Sequence, residues 1–230
     1  MPAGWLVTVA WLTLALAFGC AAVILFDLLG RGYRQPMPIM NWVWPVTALY
    51  LGPIAVWGYL RWGRPESEAW RRNHSRSAPS KPAWVAVSVG VSHCGAGCTV
   101  GDIAAEFGVY FLGATIAGQA LLAEYLGDYV LAVLLGLVFQ YCAIAPMRGL
   151  SFWPGLKAAA KADILSLTAF EVGLFAWMAL QALVFFPAPH HLQPTSPVYW
   201  LGMQFGMILG FATAYPVNAW LIRVGIKEAM

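Results

Sequence analysis

The stretch from Ser92 to Asp102 concentrates residue types that can do chemistry, within a chain that is otherwise largely apolar. It holds the imidazole of His93, the thiols of Cys94 and Cys98 and the carboxylate of Asp102, separated mainly by glycines. Thiols at this spacing beside an imidazole can bind a soft metal ion such as Cu(I), or zinc. Alternatively, the stretch is a tight helix start whose cysteines pack as small hydrophobic residues. The added imidazole and carboxylate favour metal binding, because packing alone does not need them.

The same stretch is predicted to lie at the N-terminal end of a helix. Thr99 and Asp102 form a capping-box pattern just before an apolar run, so we predict that a helix begins at Val100. From Val85 to Val91, valines alternate with small residues, which is poor helix chemistry and favours a broken or re-entrant lead-in. The partial positive charge of a helix N-terminus would favour the thiolate form of the two cysteines.

The composition is that of an integral membrane protein. The chain has 230 residues, of which 60% are hydrophobic and 10% are charged, whereas a soluble domain carries about a quarter charged residues. Continuous apolar runs of span length predict membrane helices rather than a β-barrel. The net charge of +3 comes from basic residues in particular loops, which argues against nucleic acid as a partner. The four cysteines lie in or beside apolar segments, so a disulfide framework is not expected.

We therefore predict an all-α, polytopic membrane bundle of about six transmembrane helices, one of them preceded by the broken or re-entrant glycine-rich segment. Residues 1–230 form a single integral membrane domain with a basic, cytoplasmic loop at 63–82. The protein is expected to be multi-pass in the cell inner membrane, with both termini cytoplasmic. Every basic loop except the one with Arg31 and Arg34 then obeys the positive-inside rule. The predicted spans are approximately Trp5–Leu29, Ile39–Trp62, Val100–Ala123, Tyr129–Met147, Ala162–Phe186 and Val198–Ile222.

Ionisable residues inside the predicted spans are further candidates, because they are costly in a bilayer and face polar cavities or each other. Glu171 falls near the midplane of the fifth span, and Asp102 and Glu106 share one helix face. Asp163 enters from the cytoplasmic side, where Cys142 lies about a turn and a half inside the fourth span. We predict that the thiols of Cys94, Cys98 and Cys142 converge at one depth with the carboxyl groups of Asp102, Glu106 and Asp163. The predicted metal ligands are His93, Cys94, Cys98, Asp102, Glu106 and Cys142, with Glu171 and Asp163 carrying protons or balancing charge.

Met203 and Met207 lie one helical turn apart toward the outer end of the sixth predicted span. Thioethers are soft ligands for Cu(I), which makes the pair a candidate outer relay for a metal ion. Methionines at helical spacing also fill protein cores, and this alternative stays open.

Several segments together resemble a known family. They are the Ser92–Asp102 stretch with its HCGAGC motif, Tyr33–Met37, Ala145–Leu150, Lys161–Asp163, Leu165–Gly173 and Tyr215–Asn218. Over most of its length the chain is similar to a family of small prokaryotic integral membrane proteins catalogued as domain of unknown function 4396. The resemblance implies a membrane location and no activity, so function has to be argued from the residues.

The leading hypothesis is a membrane protein that binds or transports a soft metal ion, copper or zinc with copper favoured, through His93, Cys94 and Cys98. One alternative is a membrane thiol–disulfide redox protein that cycles the two cysteines, although their CxxxC spacing differs from CxxC. Another is a non-catalytic membrane subunit, and haem ligation by His93 would need a second histidine within a span. Expected partners are the lipid bilayer, the metal ion, and a second copy of the chain or a partner membrane protein. Whether the protein is an enzyme stays open.

Overall fold

The structure, a computed structural model, describes residues 2–75, 77–188 and 190–228. It is all-α, with 80% of the residues helical and no strand in those ranges, which confirms the predicted fold class. Within these ranges, five helices are long and apolar enough to cross a membrane. The segment 63–82, predicted as a loop, contains a short helix, α4. The helices are α1 (Gly4–Leu25), α2 (Met40–Leu51), α3 (Pro53–Gly58), α4 (Glu68–His74), α5 (Ala83–Leu112), α6 (Ala120–Arg148), α7 (Phe152–Leu180) and α8 (Pro197–Arg223).

Helix α5 runs without a break through the glycine-rich stretch, so the predicted helix start at Val100 and the predicted broken lead-in are both wrong. The glycines serve helix packing instead. A β-carbon on Gly97 would lie 2.7 Å from the Cα of Gly136, and one on Gly101 would lie 2.7 Å from the backbone nitrogen of Ala132. Both neighbours belong to α6. Small residues at four-residue spacing on each helix therefore let the two backbones approach closely, as they do in many membrane helix pairs.

The helices α5, α6, α7 and α8 form an antiparallel bundle with two distinct ends. At the end that we name the lysine end, after the buried Lys227, α5 and α7 begin and α6 and α8 finish. At the opposite end, the cavity end, the last turn of α5, the start of α6 and the loop after α7 line a cavity. Between α7 and α8, a β-carbon on Gly173 would lie 2.9 Å from the Cα of Gly210. Close packing on both sides leaves a narrow interior that all four helices face.

The predicted second span, Ile39–Trp62, is a re-entrant pair of helices rather than one crossing helix, so the described residues contain five crossing helices instead of six. α2 enters from the lysine end and stops at Gly52, whose φ of +52° suits only glycine among the common residues. Pro53 then starts α3, because proline is tolerated at the first turn of a helix. The chain returns to the end from which it came, since Met40 and Gly63 line the same small pocket.

The tip of this helix pair is buried in protein, which makes a turn at membrane depth tolerable. Gln204 of α8 donates a hydrogen bond to the carbonyl oxygen of Leu49, at 2.8 Å. The ring of Tyr50 meets that of Phe170 edge-on, with centroids 6.4 Å apart. Hydropathy alone does not distinguish such a helix pair from a single crossing helix, because both contain an apolar run of similar length.

Helix α1 begins at the cavity end, where Ala10 packs against Val198 near the start of α8. It finishes at the lysine end, where the buried Asp27 pairs with Arg64 at 3.3 Å. The start of α1 and the end of α8 therefore lie at opposite ends of the bundle, as five crossings require. The basic loop 31–34, the exception to the predicted topology, lies at the lysine end together with the other basic segments.

Candidate functional site

The thiol of Cys94 belongs to a hydrogen-bonded cluster at the lysine end. It donates to Asp163 Oδ1 at 2.7 Å and contacts the hydroxyl of Ser166 at 3.1 Å, to which the Asn218 amide donates at 2.6 Å. The ammonium of Lys227 donates to both Cys94 Sγ, at 2.7 Å, and Asp163 Oδ1, at 2.8 Å. All five side chains are buried. Polar contacts thus join α5, α7, α8 and the segment after α8 in the protein interior.

Cys98, Asp102 and Glu171 form a second group in the middle of the bundle. Cys98 lies one turn beyond the first thiol on α5, and Glu171 projects from α7 toward both Cys98 and Asp102. The two carboxyl groups are buried and, apart from the contact of Glu171 with the Cys98 thiol, their oxygens have no hydrogen-bond donor among the described residues. An isolated carboxylate is strongly disfavoured at this depth. These groups therefore need protons or a bound cation to be stable where they lie.

Glu106, Asp128 and Tyr199 form a third group, one turn nearer the cavity end. Glu106 follows Asp102 by four residues on the same face of α5, and it faces Asp128 of α6 and the hydroxyl of Tyr199 on α8. Glu106 and Asp128 are fully buried. Glu124 and Tyr199 also line the cavity at this end, which has a volume of about 700 Å³. The acidic interior therefore continues into a cavity at one end of the bundle.

The three groups make a continuous series of ionisable side chains, which we name the carboxyl row. Along α5 the row covers about 18 Å at 1.5 Å per residue, more than half of the apolar thickness of a bilayer, about 30 Å. The carboxyl row has one basic residue, at the lysine end, and acidic residues toward the cavity end. The acids in its middle therefore have no counter-charge among the described residues. The members of the row are Cys94, Asp163, Lys227, Cys98, Asp102, Glu171, Glu106 and Asp128.

A comparison with protein families places the row within a defined unit. The model of a family described as a domain of unknown function (DUF4396) matches residues 83–227. This is well over half of the chain, from the first residue of α5 to Lys227. The chain belongs to this family. No curated protein and no solved structure gives a significant match. The DUF4396 region contains every member of the carboxyl row, whereas helices α1 to α4 lie outside it.

The predicted ligand set of His93, Cys94 and Cys98 is not assembled in the DUF4396 region. Successive residues of an α-helix are rotated by about 100° around its axis. His93 therefore points toward α6, where its ring meets Phe139 edge-on with centroids 6.3 Å apart. Both cysteines are free thiols. Over the described part of the chain, no three His, Cys, Asp or Glu side chains are grouped so that they hold a metal ion.

Cys142 does not join the row, which corrects the predicted convergence of three thiols. It is exposed on the surface of α6, and the next residue, Ala143, faces the interior instead. The position of a residue in a span gives its depth in the membrane. It does not show which side of the helix faces the interior, because packing against the neighbouring helices decides that. The acids that the sequence singled out do meet in one interior. They are Asp102, Glu106, Asp163 and Glu171.

Met203 and Met207 are buried on α8 and pack in the same apolar cluster as the two cysteines of α5. The hydroxyl of Thr99 lies 3.7 Å from the sulfur of Met207. The pair thus borders the middle of the row, rather than forming a separate relay near the outer surface.

Three members or neighbours of the row escaped the sequence analysis. Asp128 lies just outside the predicted fourth span, which begins at Tyr129, whereas α6 begins nine residues earlier, at Ala120. Its four-residue spacing from Glu124 was the available signal. Lys227 lies beyond the predicted sixth span, which ends at Ile222, and only the glycine two residues before it indicates a chain reversal. No sequence pattern singles out Tyr199.

Proposed function

We propose that this protein moves protons across a membrane along the carboxyl row, as a channel or as part of a proton-coupled transporter. The observation that carries the proposal is that no described residue supplies a counter-charge beside the buried acids at the centre of the row. Ionisable side chains inside membrane helices are expensive, and they mark ion pathways and proton relays. Carboxyl groups without fixed hydrogen-bond partners can take up and release protons without breaking contacts that hold the fold.

We further propose that the lysine end faces the cytoplasm of a cell with this protein in its inner membrane. The loop 31–34, the segment 63–82 and the basic residues at the end of α6, in the first half of α7 and around the end of α8 all lie at that end, so each obeys the positive-inside rule. With five crossing helices, α1 then begins on the outer side. This replaces the earlier expectation that both termini are cytoplasmic. The cavity lined by Glu124 and Tyr199 would open outward.

The second candidate for the transported ion is a soft metal ion, namely monovalent copper, Cu(I). The supporting observation is the sulfur content of the row's middle, where Cys98, Met203 and Met207 share one buried cluster. Thiols and thioethers are soft ligands that select Cu(I). In this version of the proposal the carboxyl groups release protons as the ion passes, and the sulfurs bind it briefly rather than hold it as a resident cofactor.

The test is flux into sealed vesicles that contain the purified protein. A potassium diffusion potential set by valinomycin drives protons inward, and a trapped pH-sensitive dye reports their arrival. We expect Glu171→Gln to lower the proton flux about tenfold or more, because the amide cannot exchange protons. The matched control is Glu68→Gln, which removes an exposed carboxyl group of α4 far from the row.

A parallel set of vesicles carries a trapped Cu(I) chelator in place of the pH dye. Copper entry that depends on Cys98 and Met207 would select the metal as cargo, and proton entry alone would select the relay. The proposal is wrong if wild-type protein passes neither protons nor Cu(I), or if Glu171→Gln passes them as fast as Glu68→Gln does.

A further inference from the structure

The chain reverses direction just after α8 and brings Lys227 into the protein interior. Gly225 has a φ of +71°, a conformation that favours glycine. The backbone N–H groups of Ile226 and Lys227 then both donate to the carbonyl oxygen of Leu221, at 3.0 and 3.2 Å. The Lys227 side chain is fully buried as a result. A lysine side chain normally stays in water, so this turn directs a charge to a specific place.

The place is a ready-made cation site. The ammonium lies between Cys94 Sγ and Asp163 Oδ1, and the second oxygen of Asp163 and the amide oxygen of Asn218 have no hydrogen-bond partner in the described chain. Burial lowers the pKa of Lys227, but the facing carboxylate and thiol raise it more, so the pKa is above its usual value and the ammonium stays charged. The site offers oxygen and sulfur acceptors around one positive charge.

The turn is fastened to the rest of the protein by an ion pair on the surface. Arg148, at the end of α6, donates to Glu228 Oε1 at 2.6 and 2.9 Å, and both side chains are 40% exposed. Exposed ion pairs hold weakly and are screened by salt. On the surface, the segment after α8 is therefore held by a weak ion pair, and in the interior by the contacts of Lys227. We infer that such a segment can detach from the bundle.

We propose that Lys227 is a tethered plug: its ammonium occupies a cation site made by Cys94 and Asp163 at the closed end of the carboxyl row, and a free cation takes that site when the segment 224–228 swings out. The inference rests on the proposed translocation along the row. It explains why a cavity continues the row at one end while the other end is closed by the chain's own cation. Small cations that donate hydrogen bonds, such as ammonium ions or hydronium, fit the site best.

The test uses Cys94 as a reporter that does not depend on transport. Replacing Cys20, Cys98 and Cys142 by alanine leaves Cys94 as the only thiol. The probe is 2-aminoethyl methanethiosulfonate, whose ammonium resembles that of lysine. The thiolate attacks the probe's divalent sulfur, a mixed disulfide forms and methanesulfinate leaves. Mass spectrometry of the intact protein measures the rate.

Two variants open the site in different ways. Lys227→Met keeps most of the aliphatic side chain and removes the charge. Arg148→Ala loosens only the surface fastening, and Arg72→Ala removes an exposed arginine that has no ion pair in the described chain. We expect Lys227→Met and Arg148→Ala to speed the labelling of Cys94 about tenfold or more over Arg72→Ala, because labelling follows the open population.

Added ethylammonium should slow the labelling of Lys227→Met by filling the site, and tetramethylammonium, which has no N–H donor, should not. The proposal is overturned if Cys94 stays protected in both opened variants, or if the two amines act alike. Should Lys227→Met fail to fold, Arg148→Ala decides the question alone. If Cys94 is labelled as expected but the vesicle assay detects no flux, the proposed plug is supported and the proposed translocation is refuted.

Discussion

The close approach of the helices α5 and α6 at Gly101 gives the sharpest stability prediction. A β-carbon placed on Gly101 would lie 2.7 Å from the backbone nitrogen of Ala132 and 2.8 Å from the carbonyl carbon of Leu131. These are backbone atoms, so no side chain can rotate away and the helices α5 and α6 have to separate. A β-carbon on Gly108 of the same helix meets no atom within 4 Å. The variants Gly101→Ala and Gly108→Ala therefore differ in packing and share the same change of helix propensity.

The expected difference in stability follows from comparing these two variants. Alanine in place of glycine improves helix propensity by about 1 kcal/mol at both positions, and overpacking costs about 1–3 kcal/mol only at Gly101. We expect Gly101→Ala to be less stable than Gly108→Ala by about 1–3 kcal/mol. For a chain of this length that difference lowers the melting temperature by about 2–12 °C.

The assay is thermal unfolding of both variants in the same detergent, followed by circular dichroism. Equal melting temperatures for Gly101→Ala and Gly108→Ala would refute the close-packed interface. They would favour a loose, turn-like glycine-rich stretch, in which both glycines have room for a methyl group.

Three smaller changes probe other parts of the structure. Tyr59→Phe removes the hydroxyl that donates to the buried Asp27 at 2.9 Å, so unfolding should become easier by about 1–3 kcal/mol, and an unchanged denaturation midpoint would contradict that contact. A maleimide should label the exposed Cys142 about tenfold or more faster than the buried Cys98, as peptide mapping would reveal, and equal rates would contradict the register of α6. Thr213→Val removes a hydrogen bond to a carbonyl oxygen of α7 and should cost about 0.6 kcal/mol, whereas a stabilised variant would argue against that helix pairing.

The all-α membrane fold could be predicted from apolar runs, because run length and low charge are properties of single segments. Two errors came from signals that depend on neighbours. Thr99 and Asp102 have the spacing of a capping box, yet the hydroxyl of Thr99 donates to the carbonyl oxygen of Gly95 at 2.7 Å, inside a continuous helix. The re-entrant pair has the length of a span, and only the Gly52-Pro53 dipeptide marks its turn.

The candidate site could be predicted in part for the same reason. Positions along a helix give depth, so the acids of α5 and α7 were expected at similar levels. Rotation about the helix axis is set by packing, which turns the His93 ring toward Phe139 of α6, leaves Cys142 on the surface and brings Asp128 into the row. A lysine beyond the last helix enters only because a glycine turn reverses the chain, and that reversal needs a partner such as Asp163 to be favourable.

The close packing of α5 against α6 and the burial of the α5 acids depend on each other. The residues that contact α6 backbone, Gly97 and Gly101, alternate along the helix with Cys98 and Asp102, which face the row. Close approach of α6 excludes water from the row, and exclusion of water is what makes uncharged carboxyl groups favourable there. A variant that pushes α5 and α6 apart should therefore admit water and stabilise carboxylates. Gly101→Ala in the vesicle assay then has a definite expectation: the stability falls, and the proton flux becomes less dependent on Glu171. A flux that stays fully dependent on Glu171 in that variant would separate the packing of the helices from the chemistry of the row.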